Sequence, residues 1–216
     1  MTVRWRMAGD RAVLAELDDL RQVIRLHQRL ASGRPTGVVD VIPAARTVLV
    51  AFDPGLVSPE VVSEWIGGTV DLPGTTAEPA AVGAAAPGGA VVELPVHYAG
   101  EDLAEVCALL DCTEPELVAL HTGTEFTVAF CGFAPGFAYL TGLPSGLRVP
   151  RRRSPRTTVP AGSVALADEF SGVYPRESPG GWQLIGRTDT VVFDLDRDPP
   201  ALLSPGTRVR FVQVSP

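Results

Sequence analysis

The chain has 216 residues, long for one compact domain and comfortable for two small ones, and its 45% hydrophobic and 20% charged residues exclude wholesale disorder. All 18 basic residues are arginine, which excludes chemistry that needs an ε-amino group: a phosphate loop ending in Gly-Lys-Ser/Thr, a pyridoxal Schiff base, a biotinylated carrier lysine and a Ser-Ser-Lys amidase triad. The net charge of −7 argues against a nucleic-acid partner, whose phosphates want a basic surface. The charge is also unevenly spread. Thr47 to Leu147 carries 13 acids and no arginine, whereas Arg148 to Arg187 holds seven arginines against three acids.

Val3 to Met7 and Ala12 to Leu17 read as strands around the turn signal Gly9-Asp10. In the helix that follows, Leu20, Val23, Ile24, His27, Leu30 and Ala31 form an apolar face with His27 packed on it, opposite Arg21, Arg25 and Arg29. Val38 to Ile42 and Thr47 to Phe52 are β-branched strands. Ser58-Pro59 opens a second helix that is expected to stop at Gly67-Gly68. The order ββαββα implies a two-layer domain over residues 1–72, and the Pro/Gly/Ala-rich stretch 73–89 reads as a linker.

Residues 90–216 open with a strand, Val91 to Tyr98, and a helix marked by Leu103, Val106, Cys107 and Leu110. Thr113-Glu-Pro-Glu116 has the capping-box spacing for another helix. Beyond Glu125, short β-rich pieces alternate with Gly/Pro turns: Phe126 to Cys131, Arg148 to Pro150, Ser163 to Ala167, Trp182 to Ile185, Thr190 to Phe193 and Arg208 to Val214. They read as a small antiparallel barrel, so the fold class is α+β.

Cys107, Cys112 and Cys131 form no CxxC pair and leave one over, no run of ~18 apolar residues is present, and Met1-Thr-Val-Arg-Trp-Arg has no apolar leader. A cytoplasmic location without a membrane partner is therefore expected. The Cys/His set has no metal-site spacing, and Cys107 lies on a core face.

Four constellations carry candidate chemistry. His121, at a predicted helix end, is either a proton shuttle or anion contact, or a histidine set against the helix macrodipole. Gly132-Phe-Ala-Pro-Gly-Phe-Ala-Tyr-Leu140 offers Phe133, Pro135, Gly136 and Tyr139 as ligand walls or as a tight turn filling a barrel core. The arginine cluster, with Arg151 and Arg156, suits an anion or forms an exposed basic loop, and neighbouring Ser163 fits a hydrogen-bond donor better than a nucleophile. Gly180, Gly181, Trp182 and Arg187 form either an oxyanion site or a barrel corner.

These motifs, in order and with their spacing, resemble the bacterial family of 5-oxoprolinase B subunits, also labelled allophanate hydrolase subunit 1 or KipI-like. The runs Gly37-Val-Val-Asp-Val-Ile-Pro43 and Asp198-Pro-Pro-Ala-Leu-Leu203 extend the resemblance over nearly the whole chain. It implies that the barrel is cyclophilin-like and that the protein is one part of a heteromeric ATP-dependent amidohydrolase opening 5-oxoproline to glutamate. It also implies a companion C subunit (subunit 2) and a third, metal-dependent LamB/YcsF-like subunit, with ATP acting at the level of the complex. On this reading His121, Arg151, Arg156 and Arg187 serve catalysis, and Phe133, Pro135, Gly136, Tyr139, Ser163, Gly180, Gly181 and Trp182 bind substrate. The same resemblance admits a KipI-like inhibitor of a sensor histidine kinase, or an allophanate hydrolase subunit. Departures from the family pattern are the short loop in Tyr98-Ala-Gly-Glu-Asp-Leu103, Ala45 and Phe126 in place of tyrosines, and Phe170 in place of a glutamine.

Overall fold

A computed structural model describes residues 3–71 and 90–215. The chain divides into two compact units, Met1–Ala81 and Val82–Pro216. The expected linker at 73–89 lies outside the described residues.

The N-terminal unit follows the predicted order. Strands β1 (Arg4–Met7), β2 (Ala12–Glu16), β3 (Val38–Pro43) and β4 (Thr47–Phe52) form an antiparallel sheet in the order β1-β2-β4-β3. Helix α1 (Leu20–Ala31) begins at Asp19, whose side chain accepts the Gln22 amide at 2.8 Å, and buries Leu20, Val23, Leu26 and Leu30. His27 is half-buried, and burial, ahead of weaker neighbours, lowers its pKa. Helix α2 (Pro59–Asp71) does not stop at Gly67-Gly68. Val62 and Ile66 are fully buried beneath the sheet-facing side, and the Thr69 hydroxyl bonds the Trp65 carbonyl at 2.7 Å, so packing carries the helix past a weak local signal.

The C-terminal unit is built on β5 (Val92–Val96), α3 (Leu103–Leu110), α4 (Glu114–Gly123), β6 (Glu125–Cys131), β7 (Ala138–Thr141), β8 (Arg156–Val159), β9 (Ser163–Ala167), β10 (Phe170–Val173), β11 (Ser178–Gly180), β12 (Gln183–Arg187) and β13 (Arg208–Gln213). Thr113 closes the predicted capping box of α4 with Glu116. Seven strands pair in the order β12-β9-β10-β7-β6-β13-β5, and β8 with β11 makes a separate ribbon. One ladder departs from the expected antiparallel pattern: β13 runs parallel to β5, because the chain returns to that edge only after crossing the whole sheet. Arg148 to Pro150 and Thr190 to Phe193 are reduced to single bridges, Val149 to Asp168 and Phe193 to Ala201.

The two edge strands meet, which makes the sheet a barrel. His97, directly after β5, exchanges backbone hydrogen bonds with Arg187 at the end of β12, at 2.8 and 2.9 Å. Gly100 and Asp102 then donate their amides to the Ile185 and Leu184 carbonyls. The closure needs Gly186, since a Cβ there would stand 2.7 Å from the His97 carbonyl oxygen. The interior is apolar, with Leu94, Val96, Val128, Leu140, Leu166, Ile185, Val209 and Phe211 buried together. Among the described residues no helix is long and apolar enough to cross a membrane.

Candidate functional site

An aromatic cup forms around Phe137, outside the main barrel core. Phe137 lies edge-on to Phe133, Tyr139, Tyr174 and Trp182, with ring centroids 5.1 to 5.4 Å apart. Tyr139 stacks on Phe130 at 4.3 Å and meets Trp182 edge-on at 5.5 Å. Such edge-to-face contacts fix ring orientation as well as burying area. Phe133 sits at the rim, 60% exposed and with φ at +68°. The Arg151 guanidinium lies 5.9 Å from the Trp182 ring centroid and 3.5 Å from Asp168. Burial raises the Tyr139 hydroxyl pKa and Arg151 pulls it back, so the phenol stays protonated beside a cation.

Backbone pairing explains how distant sequence motifs converge here. Arg152 donates its amide to the Gly181 carbonyl at 2.8 Å, and the Gln183 side-chain amide reaches the Pro150 carbonyl at 3.3 Å. The 150–152 and 181–183 strips therefore run side by side, Arg151 and Trp182 on one face, Arg152 and Gln183 on the other. Gly180, opposite Arg156 in the β8–β11 ribbon, abuts the Tyr174 phenol so closely that a Cβ would overlap it. Gly180→Ala is expected to displace the Tyr174 ring and cost about 1–3 kcal/mol, read as a lower urea midpoint with unchanged slope.

The predicted residues divide into two groups. Phe133, Tyr139, Gly180, Gly181, Trp182 and Arg151 belong to the cup or its edge, and Pro135 is exposed in the turn beside it. Gly136 is buried in that turn with its backbone against the Phe193 ring. The others have different surroundings. The Ser163 hydroxyl donates to the Pro160 carbonyl at 2.8 Å, which uses its only proton to hold a turn. Arg187 is exposed, with its guanidinium 3.6 Å from Asp189. His121 is completely buried, far from the water a shuttle needs. Its Nδ1 pairs with the Tyr98 hydroxyl at 2.7 Å and its Nε2 with the Ser171 hydroxyl at 3.0 Å, while the ring stacks on Phe211 at 4.4 Å. Burial pushes its pKa down to about 3, so it is a neutral, doubly hydrogen-bonded core group.

Arg156 is held by a carboxylate that sequence reasoning missed. Asp102, with 2% of its side chain exposed, accepts Arg156 Nη1 at 2.9 Å and Nη2 at 2.7 Å, the Leu184 amide at 2.7 Å, and Arg152 Nη1. Glu101 adds a second contact to Arg156 at 3.1 Å. Burial alone would raise the Asp102 pKa, but the Arg156 hydrogen bonds, the Leu184 amide and the charges of both arginines outweigh it and hold the carboxyl below its usual range. The charge split along the chain was the available signal, since the arginine-free segment supplies Glu101 and Asp102 and the arginine-rich segment supplies their partners. Ser171 and Tyr98 carried no such signal, because each is defined only by the histidine it meets.

Residues 3–203 match the family described as carboxyltransferase domain, subdomain C and D. The chain is 40% identical to the 5-oxoprolinase B subunit of Escherichia coli O157:H7, over 97% of this chain and 95% of that protein. It is 45% identical to the 5-oxoprolinase B subunit of Bacillus subtilis (strain 168), over 58% of this chain and 53% of that one. Its fold is similar to part of the K. lactis urea amidolyase structure, with a TM-score of 0.76 at 21% identity, covering 99% of this chain and 15% of that one. Motif order, the barrel and near full-length similarity agree, and the chain belongs to the carboxyltransferase-domain family of subdomains C and D.

Proposed function

We propose that this protein is the B subunit of a 5-oxoprolinase, working with a companion C subunit and a third, metal-dependent subunit to open the lactam of 5-oxoproline to glutamate with ATP. The observation that carries the proposal is 40% identity to an E. coli 5-oxoprolinase B subunit along almost the full length of both chains. Amide resonance resists hydrolysis, and phosphorylation of the carbonyl oxygen supplies a leaving group; that is the chemistry ATP contributes to the complex.

The cup suits the organic substrate better than the nucleotide. Arg152 and Arg156, which would otherwise take a phosphate, are neutralised by Asp102 and Glu101. Arg151 lies at the rim over the buried Trp182 and beside the Tyr139 phenol, its ion pair with Asp168 an exposed one at 3.5 Å that a ligand anion can replace. A guanidinium in that setting pairs with a carboxylate or a polarised carbonyl, and 5-oxoproline offers both. In this reading ATP is a co-substrate of the assembled enzyme, and this chain's part is to orient the lactam.

Reconstitution with the two companion proteins, followed by glutamate release from 5-oxoproline with and without ATP, tests the assignment. Arg151→Ala in the complex is expected to lower kcat/KM by roughly tenfold or more. Arg153→Ala, an exposed neighbour, leaves it within about twofold. Equal behaviour of the two variants overturns the role given to the cup. Absence of ATP-dependent glutamate release from the intact complex overturns the function.

A further inference from the structure

Cys107 and Cys112 bracket the end of α3 in a geometry that brings their side chains together. Asp111 adopts the left-handed conformation, with φ 51° and ψ 48°, and the Cys112 amide bonds back to the Cys107 carbonyl at 3.1 Å. This is the six-to-one bond of a Schellman motif, in which the residue after the left-handed one packs on the residue five before it. Cys107 is buried and Cys112 is half-buried against the same core cluster. Burial first, then the neighbouring Cys112 and Glu114, raises the Cys107 pKa.

Access is one-sided. Cys112 lines an open cavity of about 490 Å³ together with Asp111, Glu116, Ala119 and Leu120. Cys131 lies elsewhere, its thiol directed at the Leu203 carbonyl at 3.5 Å.

We propose that Cys107 and Cys112 form a juxtaposed dithiol that small disulfides convert into an intramolecular disulfide. The Cys112 thiolate enters the reaction first, attacking one sulfur of a low-molecular-weight disulfide reached through the cavity. The external S–S bond breaks, a mixed disulfide forms on Cys112, and one small thiol leaves with a proton. The Cys107 thiolate, already beside it, attacks Cys112 Sγ and expels the second small thiol. The protein loses two protons and two electrons, and the disulfide reagent is reduced to two thiols.

Charge selects the reagent. Asp111 and Glu116 line the cavity and Glu114 lies near the thiols, and among the described residues no arginine forms a salt bridge with any of the three. A cationic disulfide is therefore favoured over an anionic one.

The experiment treats the reduced full-length protein with cystamine or glutathione disulfide, quenches with acid and measures intact mass and the Glu-C peptide Val106–Glu116, which holds both cysteines. Wild type and Cys131→Ser are expected to lose two hydrogens, located in that peptide. Cys107→Ala stalls with one cysteamine on Cys112. The rate ratio of cystamine to glutathione disulfide, divided by the same ratio for free cysteine, is expected near tenfold at low salt and to shrink in high salt. A lasting mixed disulfide on the wild type, a disulfide that involves Cys131, no reaction by the native protein, or a normalised ratio of one overturns the proposal. None of these readouts depends on 5-oxoprolinase activity.

Discussion

Asp102→Ala is expected to destabilise the C-terminal unit by about 3 kcal/mol or more, as befits the loss of a buried carboxylate shared by two cations. The carboxylate satisfies two guanidiniums and the Leu184 amide at once, at the place where the barrel closes. Removing it leaves Arg152 and Arg156, 28% and 16% exposed, without their shared buried counter-ion and with only the exposed Glu105 and Glu101 as partners, and orphans a buried amide. Partial exposure of the arginines holds the cost toward the lower end of the range for a broken buried pair. The readout is urea unfolding followed by Trp182 fluorescence in a Trp5→Phe, Trp65→Phe background, since Trp182 is the one tryptophan of this unit. Adding Arg156→Ala to Asp102→Ala is expected to cost less than the sum of the two single changes, because the first has already broken the shared contact. A loss below about 1 kcal/mol for Asp102→Ala sinks the account of the seam. The Asp102 carboxyl is held below its usual range, so its linked stability is present above the unfolded value near 4 and fades as pH falls beneath it.

A second and separate acid response comes from His121. The unfolded histidine takes a proton near pH 6.5, whereas the buried ring, its pKa pushed down to about 3, stays neutral. Between those values the unfolded chain binds the extra proton, so stability is complete above about pH 6.5 and falls as the solution is acidified. The expected slope is roughly 1.4 kcal/mol per pH unit, or about 2 kcal/mol lost between pH 7 and 5. His121→Gln keeps hydrogen-bonding capacity toward Tyr98 and Ser171 and removes the titration. Its stability at pH 7 is lower, because ring stacking on Phe211 is lost, but its drop to pH 5 is expected to be less than about half that of wild type. The same Trp182 reporter excludes His27, which belongs to the N-terminal unit and whose pKa is also lowered. An unchanged drop in the variant assigns the acid response to another group.

Local rules carried a large share of the fold. The ββαββα order, the Thr113 capping box and the burial of Leu20, Val23 and Leu30 follow from periodicity, turn residues and capping chemistry that act within a few residues. Where a short-range signal met long-range packing, packing prevailed: α2 runs through Gly67-Gly68 because Val62 and Ile66 anchor it in the core. Strands such as β7 and β10 were illegible, being only four residues long, too short to show a period, with their pairing set by neighbours farther along the chain.

The candidate site shows the same division. The sequence alone establishes that no lysine chemistry operates, that aromatic and glycine motifs cluster between Gly132 and Trp182, and that acids and arginines occupy separate stretches. Only the tertiary structure decided which of those residues meet. It gathered Phe133, Tyr139, Trp182 and Arg151 into one cup, turned Arg156 onto Asp102 and enclosed His121 among Tyr98, Ser171 and Phe211. The reason is physical: a side chain's chemistry is encoded locally, but its burial and its partners come from strand pairings between residues that can be more than a hundred positions apart, such as Val209 with Val92, which no local pattern records.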